Sequence, residues 1–219
     1  MKNLSFPLVV LLSTIILFSC DKDEIREFSC DPCVDKYVKE NRLKLAGIGI
    51  FELASYDIEV QRAIFRSWDH EKKREAWIEK LHFVMENEGF TEAESSHVQD
   101  LIDHITGDYF LAGTNLDNSG ARSKFAGDWI DYASNELLWP GNYIAFIVFR
   151  LYTDISQLED EISSLKSLQL KAMINSEAGN CNCNISADFC NGICYQRDCT
   201  ILPSGCGWLW SMECNGNCY

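Results

Sequence analysis

Eight of the eleven cysteines fall within residues 181–219, at Cys181, Cys183, Cys190, Cys194, Cys199, Cys206, Cys214 and Cys218. None lies between Cys33 and Cys181. Thiols this dense either bind a soft metal as thiolates or oxidise in pairs. Cys181-x-Cys183 is a spacing found in thiolate clusters. The tail, however, has no histidine, and Phe189, Tyr195, Trp208, Trp210 and Tyr219 make it aromatic. Four disulfides are the expectation, and the sequence selects none of the 105 pairings open to eight cysteines. A second pair, Cys30-Asp31-Pro32-Cys33, has the spacing of a redox-active dithiol. Such motifs open a helix after a strand, whereas acidic residues precede this one. The expectation is a small loop closed by a disulfide, or a link to the tail. The third possibility is an envelope thiol exchanger. His70, His82, His97 and His104 do not assemble a metal-ligand pattern. No nucleophile elbow or phosphate-binding glycine loop is present. The reading is therefore a non-enzyme with no cofactor, no metal and no catalytic residue.

The N-terminus sets the compartment. Lys2 precedes an apolar run from Phe6 to Phe18, too short to span a bilayer and suited to the hydrophobic region of a signal peptide. Leu17-Phe18-Ser19-Cys20 resembles the lipobox of bacterial lipoproteins. That resemblance implies loss of residues 1–19 and lipidation of Cys20. It places the chain in the bacterial cell envelope, anchored in the outer membrane, where disulfides persist. The charged Asp21-Lys22-Asp23-Glu24 reads either as a surface-export signal or as a solvated tether. With Cys20 lipidated, ten cysteines remain, an even number that includes Cys30 and Cys33. The formal charge of −14 and a pI near 4.6 argue against a nucleic-acid partner.

The elements that would position these groups are mostly helical. Asp69 caps a helix from His70 to Gly89, with Ala76, Trp77, Leu81 and Val84 on its apolar face. Thr91 and Glu94 form a capping box for a second helix closed by Gly107. A loop over Gly113–Gly120 follows. Phe125, Trp129, Ile130, Ala133 and Leu137 mark a third helix stopped by Pro140-Gly141. Tyr143–Tyr152 is a buried helix or a strand. Ile155, Leu158, Ile162 and Leu165 begin a last amphipathic helix. The expected fold is mostly α, with a helical N-terminal and central domain followed by a small, disulfide-rich, loop-rich C-terminal module. The domain reading is residues 1–19 signal peptide, 20–33 acidic tether with the CxxC pair, 34–178 helical carrier and 179–219 cysteine-rich module. About forty residues bury too little apolar surface to fold without cross-links, so covalent bridges are expected to hold the module independently of the helices. Its aromatic rings are expected either to pack over the disulfides or to sit at a membrane interface.

Asn180-Cys181-Asn182-Cys183, Ser186-Ala187-Asp188-Phe189-Cys190, Pro203-Ser204-Gly205-Cys206-Gly207 and Cys214-Asn215-Gly216-Asn217 carry a family likeness. Residues 179–219 resemble the fulvocin C-related bacteriocins. Ala63-Ile64-Phe65-Arg66-Ser67 and Lys72-Lys73-Arg74-Glu75-Ala76-Trp77 more loosely resemble the N-terminal parts of related precursors. Two features depart from the pattern. The Cys190–Cys199 stretch is shorter, and Cys218 follows the Asn-Gly-Asn turn. The resemblance implies a lipid-anchored or secreted antibacterial precursor whose tail is freed near Ala178-Gly179, so that it reaches the medium. The implied partners are a membrane or envelope target in competing bacteria, an immunity protein and a processing protease. The alternative is an uncleaved surface lipoprotein that uses the knob as a binding module.

Overall fold

The computed structural model describes residues 27–111, 120–172, 182–189, 193–196 and 200–218, with the backbone alone for 164–172 and 218. The described residues form eight helices and then four short strands: α1 (Pro32–Leu45), α2 (Ile50–Leu53), α3 (Ile58–Ser67), α4 (His70–Asn87), α5 (Glu92–His104), α6 (Ala121–Asn135), α7 (Gly141–Val148), α8 (Ile155–Ala172), β1 (Cys194–Gln196), β2 (Leu202–Cys206), β3 (Met212–Cys214) and β4 (Gly216–Cys218). The fold is thus mostly α with a small disulfide-bearing strand region at its C-terminus.

Several helix starts follow directly from their caps. The Asp69 side chain accepts from the Lys72 N–H and opens α4. Thr91 and Glu94 close a reciprocal capping box at α5. The Tyr143–Tyr152 run contributes all but the first two residues of α7, then leaves helical geometry. α6 ends at Asn135, short of the expected stop at Pro140: Leu137 lies beyond the helix and Leu138 is left-handed at φ 56°, while Pro140 is the N-cap residue of α7.

The N-terminal segment departs from the expected tether. The boundary expected at residue 33 falls inside α1, which Asp31 caps and Pro32 opens. Phe28, Ser29 and Cys30 are buried. The Asp35 carboxylate accepts the backbone N–H groups of Glu27, Phe28 and Ser29. Burial alone would raise its pKa, but Lys39 and these N–H groups hold it below the ordinary value. The CxxC pair therefore does open a helix, with no strand before it among the described residues.

The core is continuous. Val38, Ile64, Phe65, Trp77, Leu81, Leu101 and Phe146 belong to one buried cluster, and so do Trp208, Leu209 and Trp210 of the tail. Lys80 is fully buried within the helices and donates to the carbonyls of Phe146, Ile147 and Arg150 around the end of α7. Burial pushes its pKa well below the ordinary lysine value. The ammonium acts as a C-cap for carbonyls that α7 leaves unpaired.

In the module, β1 and β4 pair antiparallel, with Cys194 opposite Cys218 and Tyr195 opposite Asn217. β2 and β3 pair antiparallel, with Leu202 opposite Cys214 and an irregularity within β2. Cys183–Cys194 and Cys206–Cys214 are disulfides. Gly216 lies so close to the first bridge that an added Cβ would fall 2.7 Å from Cys194 Sγ. No side chain but hydrogen fits there.

Candidate functional site

The seam between helices and module brings the distinctive groups together. α3 packs on α1 and on β2, and it sends two arginines into the module. The Arg62 guanidinium donates to the Asn182 carbonyl and pairs with Asp188 at 3.8 Å. Arg66 donates from Nε to the Ser204 carbonyl at 2.6 Å, from Nη2 to Cys214 Sγ at 3.1 Å and from Nη1 to the Phe28 carbonyl at 2.7 Å. One side chain thus ties the N-terminal segment, α3 and a disulfide together. Gly205, at φ +94°, lets the guanidinium lie flat on β2; an added Cβ would come within 2.9 Å of it. Burial and the neighbouring Arg62 push Arg66 down to about 9.

Asp188 organises the module side. Its buried carboxylate accepts the backbone N–H groups of Asn184 and Gly207, both through Oδ2. Arg150, after α7, makes a two-pronged ion pair with Glu161 of α8 at 2.7–2.8 Å, and also donates to the Phe189 carbonyl. Burial opposes the Arg150 charge, but Glu161 holds its pKa above the ordinary value. For Glu161, burial acts upward and Arg150 acts downward, with a net fall. Paired charges of this kind are tolerated inside a protein because each keeps its partner.

Apolar contact completes the seam. Trp210 is fully buried, its ring 5.4 Å from Phe65 and 6.1 Å from Trp77, both edge-to-face. Its Nε1 donates to the Phe149 carbonyl at 2.8 Å. Trp208 lies against Trp129 and Phe149. The two rings therefore occupy neither of the expected settings, since the helices supply their core. A smaller cluster of Cys30, Leu202, Cys206 and Cys214 lies beside it. The backbone at Leu209 and Trp210 is left-handed, with φ of 49° and 53°. That conformation costs non-glycine residues of order 1–3 kcal/mol each and persists only where packing enforces it.

The other predicted residues divide by place. Cys33 is disulfide-bonded, while the Cys30 sulfur donates to the Thr200 carbonyl at 3.3 Å. The expected local loop between the two does not form, and Cys30 instead meets the tail. Cys218 lies on β4. Cys20, Cys181, Cys190, Cys199, Ala178 and Gly179 lie outside the described residues, as does most of the Gly113–Gly120 loop. His97 stacks on Trp129 with ring centres 4.2 Å apart, and His104 on Phe125 at 3.6 Å, so both join α5 to α6. Among the described residues no group of three metal-ligating side chains converges, and no helix is long and apolar enough to cross a membrane.

Sequence reasoning missed Arg62, Arg66, Arg150 and Glu161 as seam residues. Arg62 and Arg66 stand four apart on α3, a spacing usually read as a solvated stripe. Asp188 carried a usable signal, being one of few charges in the tail. No protein-family model matches the chain, and neither curated proteins nor solved structures yield a match.

Proposed function

We propose that this chain is a bacteriocin-like antibacterial precursor, held in the bacterial envelope, whose helical region keeps the cysteine-rich module latent. One observation carries the reading: Trp208, Leu209 and Trp210 of the module are buried in the core of the helices. A module designed to stay attached gains stability this way, but so does one that must hide its most apolar stretch until release. The resemblance of residues 179–219 to fulvocin C-related bacteriocins favours the second. After cleavage near Ala178-Gly179, the bridges would keep the strands joined while the strained Trp208–Trp210 turn loses its support. Two tryptophans then become available to a membrane interface, where such rings partition well. The proposal includes lipidation at Cys20, a processing protease and an immunity partner.

A second reading is an uncleaved surface lipoprotein with the module as a binding head. It is favoured by the outward side chains of Ile185, Ile193, Tyr195 and Ile201, all exposed in the docked state. Intact-mass analysis of cells and medium distinguishes the two. The precursor reading expects a free, oxidised 179–219 species in the medium that inhibits neighbouring strains. A single lipidated full-length species, with a purified oxidised tail that inhibits none, would overturn it.

A further inference from the structure

Phe28, Ser29 and Cys30 precede the first helix, yet all three are buried. Contacts on two sides hold them. On the α1 side, Asp35 Oδ1 accepts the backbone N–H groups of Glu27, Phe28 and Ser29 at 3.0, 2.6 and 3.2 Å, and Oδ2 pairs with Lys39 one turn on at 2.8 Å. Three successive donors on one carboxylate oxygen make a charge-assisted clasp. The Ser29 hydroxyl adds a donation to Glu59 of α3 at 3.2 Å. On the module side, the Phe28 carbonyl accepts from Arg66 Nη1, while Arg66 Nε and Nη2 hold the Ser204 carbonyl and Cys214 Sγ. Cys30 packs with Leu202, Cys206 and Cys214 and reaches the Thr200 carbonyl. Among the described residues, the Asp35 carboxylate makes no hydrogen bond or ion pair to the module. A change at Asp35 therefore reaches the module through residues 27–30.

We propose that residues 27–30 are a strap across the seam, clasped by Asp35, and that strap and module open as one unit. The reason lies in the buried cation. If the strap lifts, Arg66 Nη1 loses the Phe28 carbonyl, and an unpaired donor on a buried guanidinium is costly. Water relieves that cost only by entering between α3 and β2, where the module is held. Coupling of this kind is reciprocal: loosening the module frees Arg66 and weakens the strap by the same factor. The docked state is thereby felt at the segment that leads back to Cys20, the proposed lipidation site. The coupling holds for either reading of function. Its role as a second lock, which a cut near Ala178-Gly179 leaves closed, rests on the precursor reading.

Native-state amide exchange on the full oxidised chain tests this, with Asp35→Ala and Asp35→Asn as variants. The asparagine keeps an acceptor oxygen but no charge, so the two effects should be graded. In Asp35→Ala, exchange at residues 27–30, 202–206 and 212–214 should rise by roughly tenfold or more, while α5 and α6 exchange as in the parent. Asp35→Asn should raise the same segments by less. If the alanine variant fails to fold, the asparagine variant carries the test alone. Faster exchange at 27–30 with the module unchanged overturns the proposal. So does no rise at 27–30, or a rise as large in α5 and α6 as in the module. A lack of antibacterial activity would bear on the precursor reading alone.

Discussion

The helical region offsets chain entropy by burying apolar side chains along the eight described helices, and it supplies the acceptors for a buried cation from within. Lys80 shows this: an ammonium far from water is tolerated because three carbonyls of the same region accept from it. The module has two described bridges and two short two-stranded sheets, but its largest rings lie in the other region's core. Sulfur bridges limit how far its chain can open; they do not supply an interior for Trp208 or Trp210. The difference teaches that cross-linking and having a core are separable. Here the helices provide the interior for the module's tryptophans, and the arginines of α3 align the module on it.

The sharpest way to break this contrast is Trp210→Ala. Truncating a fully buried tryptophan should cost about 3–5 kcal/mol, read from urea unfolding. Protection from hydrogen exchange should fall around Phe65 and Trp77 as well as in the module. Loosening confined to residues 182–218 would mean the module's interior is its own. Replacing Cys206 and Cys214 together by alanine tests the opposite side. The loop is short, and its loss should cost about 2–4 kcal/mol, with exchange protection falling in residues 202–214 before it falls in the helices.

Acid should act on the seam through Glu161. Its folded pKa is held below the ordinary glutamate value of 4.5 that applies in the unfolded chain. Its stabilising effect is therefore complete above that value and is lost as pH falls through the lower, folded one. Stability should level off above about pH 5 and decline in acid, with Glu161 accounting for up to about 1.4 kcal/mol per pH unit. Melting curves of Glu161→Gln should be lower at neutral pH and show a shallower acid decline; an unchanged slope would remove Glu161 from the account. The smallest effect expected is from Thr91→Ala, about 1 kcal/mol from the lost capping box. It should shift thermal unfolding slightly and leave module exchange rates in the native state as they were.

Local signals in the sequence translated well. Asp69 and the Thr91–Glu94 box each act within one helical turn, so neighbours in sequence determine them, whereas α6 ends at Asn135, before the expected break at Pro140. The helix at Pro32 was legible in principle, since Asp-Pro is a cap followed by a favourable first position, but the flanking cysteines drew attention to redox chemistry. The destination of Trp208–Trp210 was not legible. It depends on contacts with Phe65, Trp77 and Phe149, far away in sequence, and on a left-handed backbone that no local preference would suggest. The seam arginines were hidden for a related reason. Charge on a helix reads as solvent exposure until the acceptors from a distant segment are known.

The central claim is that the module's tryptophan turn is ordered by the helices rather than by the bridges. Amide exchange, followed by NMR on the full oxidised chain and on the excised, oxidised 179–219 fragment, tests it most directly. The account predicts slow exchange at Leu209 and Trp210 in the full chain and near-random-coil exchange at both in the fragment. Equal protection in both samples would contradict it.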